Sequence, residues 1–528
     1  MGQENTEREF EVVYGLQMNT LRLRHIILFT LVILLTACQF EDSADCPKEE
    51  NVSASYINLT IAVSNGNSHS RTRDGEKPTA GEDGDGREAG FERENAVTGI
   101  TLILYQDANG INTENNPTLD LVRYFPVTKV ENSAAQGTTY GAGTGHVKHP
   151  DQIEAKYTTG PQLIGKYGVT RIDFSKTYHA IVIANYDMTG SLTEGTSKLS
   201  NVCDAVLSTI YSGDYTKAAN LYTNFIMSSE EDNTLNFAAN GVMSTDAYGD
   251  KTFNFDDDVY ALVIERMAAR IDFWSKGGTY DDSYPTPGYV YRAWKTGDTE
   301  TSGPSSADYF VVTRITPFNL NAGKEYLLKR TNDEAKYLAS ETGSNYVIDP
   351  TTENKTQATY VSSLSDIVTG LASWNGNGYS HTIESLHELA SASSTIDGNE
   401  NIVICYPKEN TLPKESPLYY YATGIAIEGD YYIGNVKDDA TKREHRIYFG
   451  YIRHQGDKST SYEALLPSDL NTETLTSEAN PMNFGIVRNN IYRISIDKVH
   501  EKVDETPKVT LKIKVKKWDK FEHEPIYM

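Results

Sequence analysis

Cysteine is scarce in this chain: four in 528 residues, at Cys38, Cys46, Cys203 and Cys405. Four scattered thiols exclude a disulfide framework, and none has the paired spacing of a zinc site. Cys203 and Cys405 can pair only if the segments around them touch; otherwise they are two buried free thiols. Basic charge is also short, with 48 Lys and Arg against 73 Asp and Glu, for a net charge of −25. A protein that follows a phosphate backbone needs a basic surface, so nucleic acid is excluded as a partner. Catalytic motifs are missing as well. There is no Gly-x-Ser-x-Gly elbow. His387-Glu388 and His500-Glu501 open like zinc-protease helices but lack the second histidine, and Gly141 to Lys148 lacks the spacing of a phosphate loop. Asp83-Gly84-Asp85-Gly86, with Glu94 at the twelfth position, begins like a calcium loop, yet Arg87 takes a ligand position and Glu88 stands where the turn needs glycine. The expectation is therefore a non-enzyme: no catalytic residue, no metal site and no cofactor.

What the chain does have is tyrosine, 35 of them, with 39 glycines and many Thr and Val, a composition that leans towards β structure. Its length allows two or three domains.

The N-terminus carries an address. From Met18, the expected true start, Arg22, Arg24 and His25 form a basic flank. Ile26 to Leu35 follow as an apolar run too short to span a bilayer comfortably. The run ends Leu35-Thr36-Ala37-Cys38, which matches a bacterial lipobox, so residues 1–37 read as a signal peptide and Cys38 as the lipid attachment site.

Strand patterning starts at Tyr56 to Val63, where Ile57, Leu59, Ile61 and Val63 share one face. Ser64 to Arg93 is too polar for a core and contains Arg71 and Arg73 in an accessible stretch of the kind proteases cut. Strands are expected again at Ile100–Tyr105, Tyr178–Ala184, Phe225–Met227 and Tyr260–Ile264. In the second half they are expected at Tyr309–Ile315, Ile402–Tyr406, Leu418–Ile427, Ile447–Ile452 and Asn490–Ile496. Short helices are expected over Leu199–Ile210, Leu364–Trp374 and Ile383–Ala390. The Gly/Pro/Ser-rich stretch from Ser275 puts a domain border at its start. A polar linker, Lys498 to Lys508, then leads to the cleanest strand of all. In Val509 to Trp518, Val509, Leu511, Ile513 and Val515 alternate with Thr510, Lys512, Lys514 and Lys516. A one-residue slip would turn lysines onto the apolar face, so its register is tightly specified.

One segment allows recognition. Gly485-Ile486-Val487-Arg488-Asn489-Asn490-Ile491-Tyr492 resembles the Val-Arg-Asn-Asn-x-Tyr pattern of bacterial fimbrillins of the Mfa type, subunits of type V pili. The lipobox, the Tyr56–Val63 strand, an arginine-bearing loop, Ala180–Asn185, Glu265–Arg270, Thr313–Arg330 and the final strand agree in order. The resemblance implies a mainly β fold: two β-sandwich (transthyretin-like) domains, at 74–274 and 275–528, with a few short helices. It also implies a function, that of a structural pilin exported as an outer-membrane lipoprotein and serving adhesion and biofilm formation. An arginine-specific protease cuts after Arg73, or after Arg71, and removes residues 38–73 with the first strand. The donor residues Val509, Leu511, Ile513 and Val515 of a neighbouring subunit then replace Ile57, Leu59, Ile61 and Val63. Identical or related pilus subunits, the protease and a host or bacterial surface receptor are the implied partners. The alternatives are a surface glycan-binding lipoprotein, for which tyrosines supply stacking platforms, and a tip or anchor subunit of the same pilus.

Overall fold

The computed structural model describes the chain between residues 53 and 519, leaving out 64–86, 131–155, 361–380, 467–483 and several shorter stretches. Cys38, Arg71 and Arg73 lie outside the described residues, as do the Leu364–Trp374 helix and all but the first residue of the Ile383–Ala390 one. The fold is mainly β, with three large sheets among the described residues.

The first is a twelve-stranded sheet built from residues between Ser55 and Arg266. Towards one end of its strand order, Gly99–Tyr105 and Thr177–Ala184 pair antiparallel, from Ile100 opposite Ala184 to Tyr105 opposite His179. Gly99–Tyr105 is buried at all seven positions, as expected for a strand whose side chains are apolar on both faces. Leu119–Pro126 closes one side of this pair. The expected helix over Leu199–Ile210 stops at Cys203. Beyond it Val206–Leu207 turns into a short strand that pairs with Glu325–Tyr326, so tertiary pairing overrides the apolar spacing that suggested a longer helix. Cys203 and Cys405 are buried free thiols, and burial pushes the Cys203 thiol up to about 12.

The chain leaves the first sheet after Arg266 and enters the second at Arg270. This seven-stranded sheet runs in the order Arg87–Ala89, Val509–Asp519, Asn490–Val499, Arg270–Trp274, Asn399–Cys405, Ser393–Ile396, with Thr460–Glu463 also on Val509–Asp519. The third sheet, of six strands, includes Thr279–Asp281, Gly288–Arg292, Tyr309–Phe318, Gly424–Tyr432 and Arg443–Tyr451 in spatial order. Phe273 of the second sheet meets Tyr289 of the third with ring centroids 6.1 Å apart, and one hydrophobic cluster runs through all three sheets.

Candidate assembly site

The strand Ser55–Val63 is held on both edges. On one side it runs parallel to Lys251–Phe255, from Ser55 opposite Lys251 to Leu59 opposite Phe255, and then to Leu262–Arg266, from Ile61 opposite Leu262 to Val63 opposite Ile264. On the other side it is antiparallel to Gln162–Gly165 and to Lys156–Thr158. Both walls change strand at the same level, around Leu59 and Thr60. There Thr159 fills the break: its N–H donates to the Leu59 carbonyl at 3.0 Å, and the Leu59 N–H donates to its Oγ1 at 3.0 Å. Gly160 follows with φ +59, a left-handed conformation that costs a residue without a Cβ little.

The strand's apolar face is sealed. Ile57, Leu59, Ile61 and Val63 are all 0% exposed. The opposite face is graded: Tyr56 and Asn58 are half-buried, whereas Thr60 and Ala62 are buried. Residues 64–86, which carry Arg71 and Arg73, join this strand to Arg87–Ala89.

Arg87–Ala89 belongs to the other end of the chain. It runs parallel to the tip of the C-terminal strand, with Arg87, Glu88 and Ala89 opposite Lys517, Trp518 and Asp519. The C-terminal strand is itself seated along the length of Asn490–Val499, from Val509 opposite Val499 to Lys517 opposite Asn490. Val509, Leu511 and Ile513 are buried there; Val515 lies on the same strand. The linker between these strands closes a hairpin in which the His500 N–H donates to the Lys508 carbonyl at 2.8 Å.

Directly after Arg87–Ala89, the one-turn helix Glu92–Asn95 delivers the Glu94 carboxylate, which the sequence marks only as the twelfth position of an incomplete calcium loop. Glu94, 0% exposed, accepts from the Tyr406 hydroxyl, from the Phe91 N–H at 2.7 Å and from Arg270 Nη1 at 3.1 Å. Arg270 in turn holds both oxygens of Asp272 at 2.9 Å. Burial, followed by the Glu94 charge, pushes the Tyr406 hydroxyl well above its usual range.

The Val487–Tyr492 motif sits against the same crossover. Asn489, at φ +56, donates its N–H to the Ala268 carbonyl at 2.9 Å and accepts from Arg266 Nη1 at 2.8 Å. Arg488 is buried among the Tyr326 and Leu327 carbonyls, Glu409 at 2.8 Å and Glu325 at 3.3 Å. Asn490 folds back on the Val487 and Arg488 carbonyls, and the Tyr492 hydroxyl takes the Val487 N–H at 2.8 Å. The motif is therefore a clasp between the first and second sheets. Nearby, Glu265 pairs with Lys329 at 3.3 Å, and burial raises its carboxyl to about 7. Among the described residues no group of His, Cys, Asp and Glu is arranged to hold a metal ion.

No family model matches the chain, and no curated protein does. Solved structures align with it at low identity. The tip fimbrial protein Mfa3 of Porphyromonas gingivalis, solved with a C-terminal truncation, aligns over 88% of this chain and 99% of its own, at 9% identity and TM-score 0.35. A FimA fimbrilin from the same species covers 90% of this chain and 100% of its own, at 11% identity and TM-score 0.36. A Parabacteroides distasonis protein provisionally assigned to cell adhesion covers 88% of this chain and 99% of its own, at 13% identity and TM-score 0.39. Similarity at this level decides nothing about function; the chain's own strands have to.

Proposed function

We propose that the chain is a structural subunit of a cell-surface fimbria that polymerises by strand exchange. It is exported as a lipoprotein through Cys38, reaches the outer surface and is cut after Arg73 or Arg71 by an arginine-specific protease. The cut frees Ser55–Val63, and the C-terminal strand of a neighbouring copy fills the slot. In this reading the twelve-stranded sheet is the body of the N-terminal domain, 74–274. The other two sheets are the body of the C-terminal domain, 275–528, with Arg87–Ala89 and Arg270–Trp274 contributed to the second sheet from the N-terminal side of that border. A strand that can both leave and be replaced suits a stalk subunit better than a tip or an anchor.

The observation that carries the reading is the seat of Ser55–Val63. It is an interior strand with walls on both edges and four fully buried aliphatics, and residues 64–86, with both arginines, follow it directly. Removing it would leave a lined slot rather than a frayed edge, and such a slot is filled most readily by another strand of the same period. Burial of four aliphatic side chains is worth roughly 6–12 kcal/mol before ordering entropy is subtracted. The glycan-binding alternative has thinner support, since Tyr124 and Tyr248 are the exposed large aromatics among the described residues.

The test is to treat the purified full-length chain with an arginine-specific protease and run it unheated in SDS. Strand exchange gives a ladder of SDS-resistant oligomers, and deletion of Val509 to Met528 abolishes it. A cut chain that stays monomeric with its C-terminus intact, or a ladder that survives the deletion, rejects the proposal.

A further inference from the structure

The C-terminal strand is held unevenly along its length. Its inner edge pairs with Asn490–Val499 from Val509 to Lys517 and stops there, because Asn490 begins that strand. Its outer edge is paired at two places: Thr460–Glu463 covers Thr510 to Ile513, and Arg87–Ala89 covers Lys517 to Asp519. The described pairings on that edge pass over Lys514, Val515 and Lys516. Among the described residues, Trp518 and Asp519 are therefore paired to Glu88 and Ala89 alone. A segment that served only to cover a sheet edge would run along it. This one sits at the tip.

The tip is where departure has to begin. At its other end the strand is joined through residues 500–508 to Val499, and the His500 N–H donates to the Lys508 carbonyl at 2.8 Å. Separation from Asn490–Val499 therefore runs from Lys517 back towards Val509, and Arg87–Ala89 stands at its start. Parallel pairing is slightly weaker per residue than antiparallel pairing, and a stretch this short opens locally without unfolding the sheet.

Arg87–Ala89 is fixed from its downstream side. Gly90 and Phe91 alone separate it from the helix Glu92–Asn95. The Phe91 N–H donates to Glu94 at 2.7 Å, and Glu94 pairs with Arg270 at 3.1 Å. Arg270 lies opposite Ile491, which lies opposite Lys516, so the anchor and Arg87–Ala89 grip adjacent rows of one sheet. Arg71 and Arg73 are upstream of all this, so a cut after either leaves Arg87–Ala89 and its anchor in the cut chain.

We propose that Arg87–Ala89 is a strap that keeps the C-terminal strand in its own sheet after the cut, so that opening the slot and releasing the strand are separate steps. A freshly cut chain is then ready to accept a strand before it is ready to give one. The strap's use as a brake on assembly rests on the strand-exchange reading above; its hold on the tip does not.

The test opens the strap without touching the strand it holds. Alternate residues of a strand turn their N–H groups to the same neighbour, so E88P/A89P removes whichever of the two faces the C-terminal strand. In the uncut full-length chain this variant speeds hydrogen exchange at residues 514–519 by roughly tenfold, while Ile57 to Val63 exchange as in the parent. Unchanged exchange at the tip overturns the strap. After arginine-specific cleavage at an unchanged cutting rate, the variant forms SDS-resistant ladders about threefold faster than the parent. An equal or slower rate overturns its role as a brake. A second variant keeps the backbone intact: E88C/W518C joins directly opposite positions, which lie within the span of a disulfide. It is made with C38S and C46S, and Cys203 and Cys405 are buried and do not compete. Oxidised, it cross-links within one chain, is cut normally and gives no ladder until it is reduced. Failure to cross-link, or ladders at the parental rate while oxidised, overturns the proposal. Faster exchange at the tip in E88P/A89P, with no ladder from any cut chain, removes the strand-exchange reading and leaves the strap's hold on the tip standing.

Discussion

The first and last described strands of this chain carry the same apolar code and occupy unlike seats. Ser55–Val63 lies between walls made of four strands, and its whole apolar face is sealed in the first sheet. Val509–Asp519 lies in the second sheet, against Asn490–Val499 on one edge, with Thr460–Glu463 and Arg87–Ala89 sharing the other. Both are interior strands. The difference is covalent: a cut within 64–86 disconnects the first from everything after it, while the last stays attached through its hairpin to Asn490–Val499. Under strand exchange, then, the first strand leaves once and for good. The last must trade one buried seat for another of similar apolar content. The two burial terms largely cancel, so the imbalance that drives assembly is the slot that proteolysis opens. The C-terminal strand's own pairings set how fast it is filled.

This contrast can be broken at several points, in decreasing order of effect. Replacing both arginines (R71A/R73A) leaves the slot filled, and ladder formation after protease treatment is lost altogether; persistence of the ladder places the cut elsewhere. Next comes the Glu94–Arg270 ion pair, which anchors the chain just after Arg87–Ala89. E94A leaves Arg270 without one of its two buried carboxylates and lowers unfolding stability by about 3–5 kcal/mol, measured by urea titration. An effect under about 1 kcal/mol means the Glu94 pair is dispensable. L59A and L511A each cost the uncut chain about 2–5 kcal/mol as cavities in a packed core. After cleavage their effects diverge: L59A polymer melts like the parent because that strand has gone, while L511A polymer dissociates at lower SDS or temperature.

Acidity supplies a smaller effect. Burial raises the Glu265 carboxyl from its ordinary 4.5 to about 7. The folded chain therefore binds this proton more tightly than the unfolded one. The stabilisation is fully present below pH 4.5 and is lost as pH rises through about 7. E265Q flattens that part of the stability profile; an unchanged profile shows that Glu265 does not titrate there. The smallest effect belongs to Lys508 and Glu463, an exposed ion pair at 3.0 Å beside the C-terminal strand. K508A shifts the urea midpoint by no more than about 1 kcal/mol can produce.

The two strands that matter most were the easiest to read, because period-2 alternation over seven or more residues has no helical rendering. Tyr309–Phe318, Asn399–Cys405 and Asn490–Val499 were legible instead as short runs rich in β-branched and aromatic residues, with borders within a few residues. The slot's walls were not. Lys156–Thr158 and Gln162–Gly165 are three and four residues long, too short to show a period, and are strands through their pairing with Ser55–Val63 and, for the first, with Thr128–Lys129. Lys251–Phe255 alternates too briefly to stand out. The pairing of Glu94 with Arg270 and Asp272 also left no mark, since a buried ion pair spans 176 residues of sequence without any period. The helix over Leu199–Ile210 was overextended because Val206 and Leu207 keep the apolar spacing while serving a strand.

Strand exchange is tested most directly by filling the slot from outside. A synthetic peptide of residues 508–519 is added in excess to the full-length chain during arginine-specific cleavage. Strand exchange predicts one peptide bound per cut chain, resistant to unheated SDS, with the ladder shortened towards single subunits and no binding to the uncut chain. A ladder unchanged by the peptide, or equal binding to cut and uncut chain, would contradict it.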